Sequence, residues 1–150
     1  MVQNEQQLNI KYYENTMKKR KHFLENKKYA NKNSKKVYAV EYENGYPIYE
    51  FIDAKDPFAK YTKQLLASLP GHQVHVVSQT NDAAKIMIKA FNDRNPGDYY
   101  LFDTKQVKLE YLFSEKQWLD PDKMAEVKPI KFKSRDGIEI HGYLTLPNDI

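Results

Sequence analysis

The 150-residue sequence is 41% hydrophobic and 13% aromatic and contains no cysteine. It is long enough for one domain with a hydrophobic core, and the lack of cysteine excludes disulfide bonds and thiolate metal sites. The net charge is +4, but residues 1–36 carry ten Lys or Arg against three acids, so the remaining residues are acidic overall. No apolar run approaches the roughly 18 residues that span a bilayer, and residues 1–7 lack the apolar region of a secretory signal. We therefore expect a cytoplasmic protein without a membrane partner.

The N-terminal segment 1–35 is basic and is predicted to be helical over residues 4–30, although its apolar stripe is thin. The run Lys18-Lys19-Arg20-Lys21 would contact phosphates if the chain binds nucleic acid. Such runs are usually solvated helix faces, and no aromatic platform for stacking bases follows this one. Nucleic-acid binding is therefore the least favoured of the functions that the sequence suggests.

A β-hairpin is predicted after this segment. Residues alternate between two faces over Lys36–Tyr42, and Tyr46–Ile52 is expected to pair back as the second strand. Between them, Asn44-Gly45 is a dipeptide that favours the positive φ of a tight turn. The hairpin is interpreted as half of a propeller blade.

A helix follows the hairpin. Asp56 is the expected N-cap, with Pro57 at the first helical position, and Pro70-Gly71 ends the helix after about Leu69. The expected inner face consists of Phe58, Tyr61, Leu65, Leu66 and Leu69.

The centre of the sequence predicts four consecutive antiparallel strands with short polar connections. The strands are His72–Thr80, Lys85–Asn92, Asp98–Thr104 and Val107–Glu115. Four strands in such a meander are the unit that a β-propeller repeats as a blade. The third strand is apolar on both faces and should be central, whereas the fourth should be an outer edge with Val107, Leu109, Tyr111 and Phe113 on its core face.

The last segment predicts a short helix and a second hairpin. Asp120 is the expected cap of a helix over Asp122–Glu126, with Pro121 at its first position. The strands Ile130–Ser134 and Ile138–Leu146 are joined by Arg135-Asp136-Gly137, and Asp-Gly is a strong hairpin signal.

No catalytic, cofactor-binding or metal-ligating residue is assigned. None of Ser34, Ser68, Ser78, Ser114 and Ser134 lies in a G-x-S-x-G turn, and all five glycines are isolated. The four histidines His22, His72, His75 and His141 lack the spacing of a metal site. The pairs Asp53/Asp56 and Asp120/Asp122 are interpreted as helix caps and turns rather than acid–base dyads.

From about Lys36 to Pro147, the sequence resembles the prolyl oligopeptidase family of serine peptidases, on its acylaminoacyl peptidase and dipeptidyl peptidase side. Residues 92–103, NDRNPGDYYLFD, are similar to a late propeller segment of that family. Residues 129–147, PIKFKSRDGIEIHGYLTLP, resemble the first hairpin of its α/β-hydrolase domain. In that family, propeller blades restrict access to a Ser–Asp–His triad in the following domain. The resemblance implies a parent protein that hydrolyses short peptides.

These observations predict a mainly β fold with short helices, in which an incomplete β-propeller fragment includes a four-stranded blade-like meander with flanking hairpins. The predicted regions are the basic segment 1–35, the propeller-like region 36–116, and a linker with the first hydrolase hairpin over 117–150. The leading hypothesis is a non-catalytic fragment of a serine peptidase that requires no cofactor. The alternative is a binding module that associates with itself through its exposed sheet edges.

Overall fold

The computed structural model describes residues 26–148, which form mainly β structure, as the sequence predicts. The strands are β1 Asn26–Ala30, β2 Val37–Asn44, β3 Tyr46–Phe51, β4 Gln73–Gln79, β5 Lys85–Phe91, β6 Asp98–Asp103, β7 Lys108–Ser114, β8 Val127–Lys133 and β9 Glu139–Thr145. Helix α1 spans Pro57–Ser68, and a 3-10 turn spans Pro121–Lys123. Strand accounts for 47% and helix for 12%, so the expected fold class is confirmed at this level.

The strands form three antiparallel sheets in chain order, β1-β2-β3, β4-β5-β6-β7 and β8-β9. The four-stranded meander is therefore confirmed, with β6 inside the sheet and β7 at its edge, as predicted. The chain divides after Thr62 into two compact units. The first sheet lies in one unit and the other two sheets lie in the second.

The helix predicted over residues 4–30 is wrong over its last five residues, which form β1. Tyr29 pairs with Ala39 of β2, and only 5% of its surface is exposed. Its burial follows from strand pairing, whereas a helix with a thin apolar stripe has little surface to bury. Residues 4–25, including Lys18–Lys21 and His22, lie outside the described residues.

Helix α1 begins where the Asp-Pro signal places it. The Phe58 amide donates to Asp56 Oδ1 at 2.8 Å, so Asp56 is the N-cap. Asn31 Nδ2 donates to the same carboxylate at 3.0 Å, while Asn31 Oδ1 accepts from the Asn33 amide at 2.9 Å. One buried asparagine thus joins the β1–β2 turn to the start of the helix.

The buried stripe of the helix differs from the predicted one. Phe58 and Leu65 are buried as expected, but Tyr61, Leu66 and Leu69 are only half-buried. Ala59 and Thr62 are buried instead. In the first unit, Thr62 Oγ1 lies 3.0 Å from the buried Tyr38 hydroxyl, and that hydrogen bond makes a threonine suitable for a core position that a hydrophobic pattern overlooks.

Two β-bulges reset which side chains share a face of the four-stranded sheet. The register shifts between Val76 and Ser78 in β4, and again where Tyr99 and Tyr100 of β6 face Phe113 and Tyr111 of β7. Val77 and Leu112 are the extra residues. Because a bulge inserts one residue, strict alternation fails beyond it. Val76 and Ser78, which simple alternation would place on one face, therefore lie on opposite faces.

One face of this sheet contains the core of the second unit. Its fully buried members are Val74, Ile86, Ile88, Ala90 and Phe102. The predicted core face of the fourth strand holds for Leu109, which is half-buried opposite Phe102. It is wrong for Val107, Tyr111 and Phe113, which are 55%, 53% and 45% exposed. Val107 lies in the turn with φ 53°, and the bulge at Leu112 turns Phe113 to the opposite face.

The β5–β6 connection is ordered by its asparagines. Asn92 Oδ1 accepts from the Asn95 amide at 2.7 Å, and Asn92 Nδ2 donates to the Gly71 carbonyl at 3.1 Å. Asn95 is buried; its Oδ1 accepts from the Gly97 amide at 3.0 Å and its Nδ2 donates to Asp98 Oδ2 at 2.7 Å. The two side-chain amides therefore satisfy backbone groups in and beside the turn.

The final hairpin confirms its Asp-Gly turn, with Gly137 at φ 82°. The expected helix over Asp122–Glu126 is reduced to the 3-10 turn, which begins as predicted with Asp120 Oδ1 accepting from the Asp122 amide at 3.1 Å. The Val127 amide donates to Asp93 Oδ2 at 2.6 Å. This hydrogen bond joins the hairpin to the β5–β6 connection.

Replacing Asn95 by alanine should destabilise the fold by about 2 kcal/mol, because two hydrogen bonds disappear and the Gly97 amide stays buried without an acceptor. Urea unfolding followed by circular dichroism measures this change. The matched control is Asn81→Ala, at an exposed position in the β4–β5 turn, which should change stability by less than about 0.5 kcal/mol. Equal losses in the two variants would contradict the assigned role of Asn95.

Candidate functional site

The serines and histidines do not form a catalytic arrangement in the part of the chain that the structure describes. Ser114 Oγ donates to Asp98 and interacts with the Tyr111 hydroxyl at 2.8 Å. Ser134 Oγ donates to Asp136 within its own turn. Neither contact includes an imidazole, which an acyl-transfer triad needs to accept the serine proton. These hydroxyls therefore order a strand pair and a turn.

The described histidines occupy three separate environments. His72 Nδ1 lies 3.0 Å from the Pro70 carbonyl in a turn. His75 packs edge-on against Phe91 with ring centroids 4.5 Å apart, and His141 pairs with Glu139 at 3.0 Å. Among residues 26–148, no group of three or more His, Asp or Glu is placed to hold a metal ion.

The two carboxylate pairs act in turns and caps rather than as dyads. Asp53 Oδ1 accepts from the Lys55 amide at 3.0 Å, and Asp56 caps α1. Asp120 caps the 3-10 turn, in which Asp122 is the second residue. The carboxylates of Asp53, Asp56 and Asp120 therefore lie at the turn and cap positions that the sequence predicts.

A buried polar cluster in the first sheet was missed by sequence reasoning. The Tyr29 hydroxyl donates to the carboxylate of Glu41, which is only 5% exposed. Glu41 faces Lys27 on β1 and Tyr49 on β3, and the Tyr29 and Tyr49 ring centroids are 5.8 Å apart. Burial, followed by the charge and hydrogen bonds of Tyr49 and Glu41, raises the pKa of Tyr29 well above its usual range. The phenol is therefore a stable donor to a buried acid.

The second face of the four-stranded sheet presents aromatic and charged side chains, and we call it the aromatic face. A row of directly opposed residues crosses all four strands, consisting of His75, Lys89, Tyr99 and Phe113. Tyr99 and Phe113 stack with centroids 4.7 Å apart. The Lys89 ammonium lies 5.9 Å from the Tyr99 centroid, within the range of a cation–π contact.

The other members of the aromatic face follow from the strand register. They are Gln73, Ser78, Lys85, Met87, Phe91, Leu101, Asp103, Lys108 and Glu110. Lys85 pairs with Asp103 at 2.7 Å, and this hydrogen bond, with amides of the following turn, lowers the pKa of Asp103 to about 2. Lys89 also pairs with Glu115. Gly97 lies beside this pair, and a Cβ there would displace the end of the Lys89 side chain.

The β8–β9 hairpin carries a second apolar surface, which we call the hairpin face. Paired positions place Phe132 beside Ile140 and Ile130 beside Gly142 on one side, and strand alternation adds neighbouring positions to it. Its members are Ile130, Phe132, Ile138, Ile140, Leu144 and Leu146. Phe132 and Leu146 are 52% and 60% exposed. Lys128, opposite Leu144, is the one charged residue on this side of the strand pair. The other side is mixed and carries Val127, Pro129, Lys131, Lys133, Glu139, His141 and Tyr143. The hairpin face is therefore the more apolar side, and it is open.

Apolar residues alternate with other residues over 138–146, a signal from which this side could have been predicted, but alternation alone does not tell whether the rest of the fold covers it. No helix within the described residues is long and apolar enough to cross a membrane.

The chain matches no protein-family model, and neither curated proteins nor solved structures give a significant match.

Stability at alkaline pH should depend on Tyr29. Its pKa is raised in the folded state, so this phenol contributes stability that is present below its unfolded pKa of about 10 and is lost as the pH rises above it. Tyr29→Phe should lower stability at neutral pH but reduce the further loss between about pH 9 and pH 11. Urea unfolding across this range tests the expectation, with Tyr46→Phe, an exposed tyrosine, as control. An unchanged pH slope in Tyr29→Phe would refute it.

The hairpin face should bind an apolar dye such as anilinonaphthalene sulfonate, which reports exposed hydrophobic surface. Phe132→Ser should reduce the fluorescence enhancement, because it removes a 52% exposed ring from this face. Tyr143→Ser is the matched control, since Tyr143 is 54% exposed on the other side of the hairpin. Equal reductions in both variants would argue against a distinct apolar face.

Proposed function

We propose that this chain is a non-catalytic scaffold of a serine peptidase of the prolyl oligopeptidase type. In this proposal, the β4–β7 meander serves as a propeller blade and the β8–β9 hairpin as the first hairpin of the α/β-hydrolase domain. The parent protein would hydrolyse short peptides, and this part would position the catalytic domain and restrict access to it. The residues that break the peptide bond lie elsewhere in the parent.

The observation that carries the proposal is the hairpin face. An isolated two-stranded hairpin is marginally stable in water, and this one leaves Phe132, Ile140 and Leu144 partly exposed. Such a surface suits a hairpin that packs against further elements of a hydrolase domain. The hydrogen bond from the Val127 amide to Asp93 at 2.6 Å supports a fixed transition from blade to hairpin.

The chemistry of the serines agrees with a scaffold role. Ser114 and Ser134 each donate to a carboxylate, which holds the hydroxyl in place but is a weak base compared with an imidazole. Acyl transfer also requires donors arranged for the oxyanion, and a single tight turn around Ser134 provides no nucleophile elbow.

The purified chain should not hydrolyse a short chromogenic peptide and should not react with a serine-directed phosphonate. Intact-mass spectrometry after incubation with the phosphonate provides the measurement. Ser114→Ala and Ser134→Ala are the controls, and neither should alter the background. Labelling of the wild-type chain that disappears in either variant would overturn the proposal, whereas a G-x-S-x-G segment encoded in frame after Ile150 would support it.

A further inference from the structure

The aromatic face differs from the buried face of the same sheet. The buried face contains Ile88 and Ala90 at 0% exposure, whereas Phe113 on the aromatic face is 45% exposed and its central neighbours are half-buried. Met87, Leu101 and Tyr99 form an apolar centre across the two inner strands. When a second surface packs on such a face, the apolar side chains are removed from water, which is favourable.

The size of this face fits a specific interface. Four strands about 4.8 Å apart and about 20 Å long give a footprint of roughly 400 Å² in projection. The relief of the side chains enlarges the accessible area toward the roughly 600–800 Å² per partner of a standard interface. The hairpin face, with two strands, has about half this footprint and is small for a stable association on its own.

The charges on this face favour a partner of the same kind. The lysines Lys85, Lys89 and Lys108 are balanced by the carboxylates Asp103, Glu110 and Glu115. A nucleic acid or an anionic membrane selects surfaces with an excess of lysine and arginine. A surface with equal and interspersed charges is instead suited to an isologous contact, in which each copy presents the same patch to the other.

We propose that the aromatic face is a homotypic interface, through which two copies of the chain pack sheet against sheet. Met87, Tyr99 and Leu101 lie at its apolar centre on the inner strands. Phe113 extends this centre onto the edge strand β7 by stacking on Tyr99, and the balanced charges lie around these residues. Aligned packing of two sheets is a common arrangement of β proteins. The proposal concerns a different surface from the hairpin face and describes the free chain, since a neighbouring blade would cover this face in a complete propeller.

Sedimentation equilibrium of the full chain should give a mass twice that of the 17.8 kDa monomer at roughly 100 μM. Phe113→Lys should weaken the dimer by at least about tenfold, as expected when an aromatic residue that stacks on the apolar centre is replaced by a charge. The matched control Phe132→Lys places the same charge at a 52% exposed phenylalanine of the hairpin face and should leave the dimer intact. A monomeric wild type, or a dimer lost only in Phe132→Lys, would overturn the proposal.

A second measurement stays informative if Phe113→Lys fails to fold. The chain contains no cysteine, so single cysteines can be introduced at exposed sites. The thiol of Glu110→Cys, on the aromatic face, should react several-fold more slowly with maleimide at roughly 100 μM protein than at about 1 μM. The thiol of Lys133→Cys, on the polar side of the hairpin, should react equally fast at both concentrations. Equal rates at both concentrations for Glu110→Cys would refute the proposed interface.

Discussion

The arrangement of the second unit depends on the hydrogen bonds of the β5–β6 connection. A chain reversal of this length leaves several backbone amides without ladder partners, and buried amides without acceptors are costly. Asn92 and Asn95 supply those acceptors, and their amide groups reach Gly71 before β4 and Asp98 in β6. Asp98 in turn accepts from Ser114 of β7. One connection thereby fixes the ends of the meander, and through Asp93 it also receives the first amide of the hairpin.

Turn chemistry made most element boundaries predictable. Asn-Gly and Asp-Gly favour the positive φ of a tight turn. Asp-Pro combines a capping carboxylate with the fixed φ of proline. Both effects are local, so they do not depend on distant residues. Gly45 at φ 89° and Gly137 at φ 82° therefore occur where the sequence predicts them. The network around Asn95 was less accessible, because its hydrogen bonds depend on how the three-dimensional turn folds back. The sequence identified the turn but not the role of each asparagine.

The sequence-based predictions are wrong at positions where tertiary structure, rather than the local residue pattern, decides which side chains are buried. A bulge shifts strand parity by one residue, so Phe113 faces away from the surface on which alternation placed it. Tyr111 is 53% exposed although the apolar pattern assigns it to the core, because its strand lies at the edge of the sheet. Tyr29 and Glu41 are buried only because β1 pairs with β2, and no local signal distinguishes that strand from a weak helix. The aromatic face likewise requires the register of four strands before its residues can be brought together.

The hairpin face and the aromatic face suit two different roles, a scaffold role and self-association, between which the sequence does not decide. The hairpin is held by its strand pairing, by the Val127–Asp93 hydrogen bond, and by Asn148 Nδ2, which donates to the Lys123 carbonyl at 3.1 Å. Covering its apolar side would add hydrophobic contacts. The four-stranded sheet already buries Ile86, Ile88 and Phe102 on one side, so it can remain folded while its aromatic face stays exposed. In a scaffold role, the hairpin is therefore the part that most needs a packing partner, because its stability increases when another element packs on it. Self-association instead uses the four-stranded sheet. This sheet is already ordered, so it loses little conformational freedom on binding.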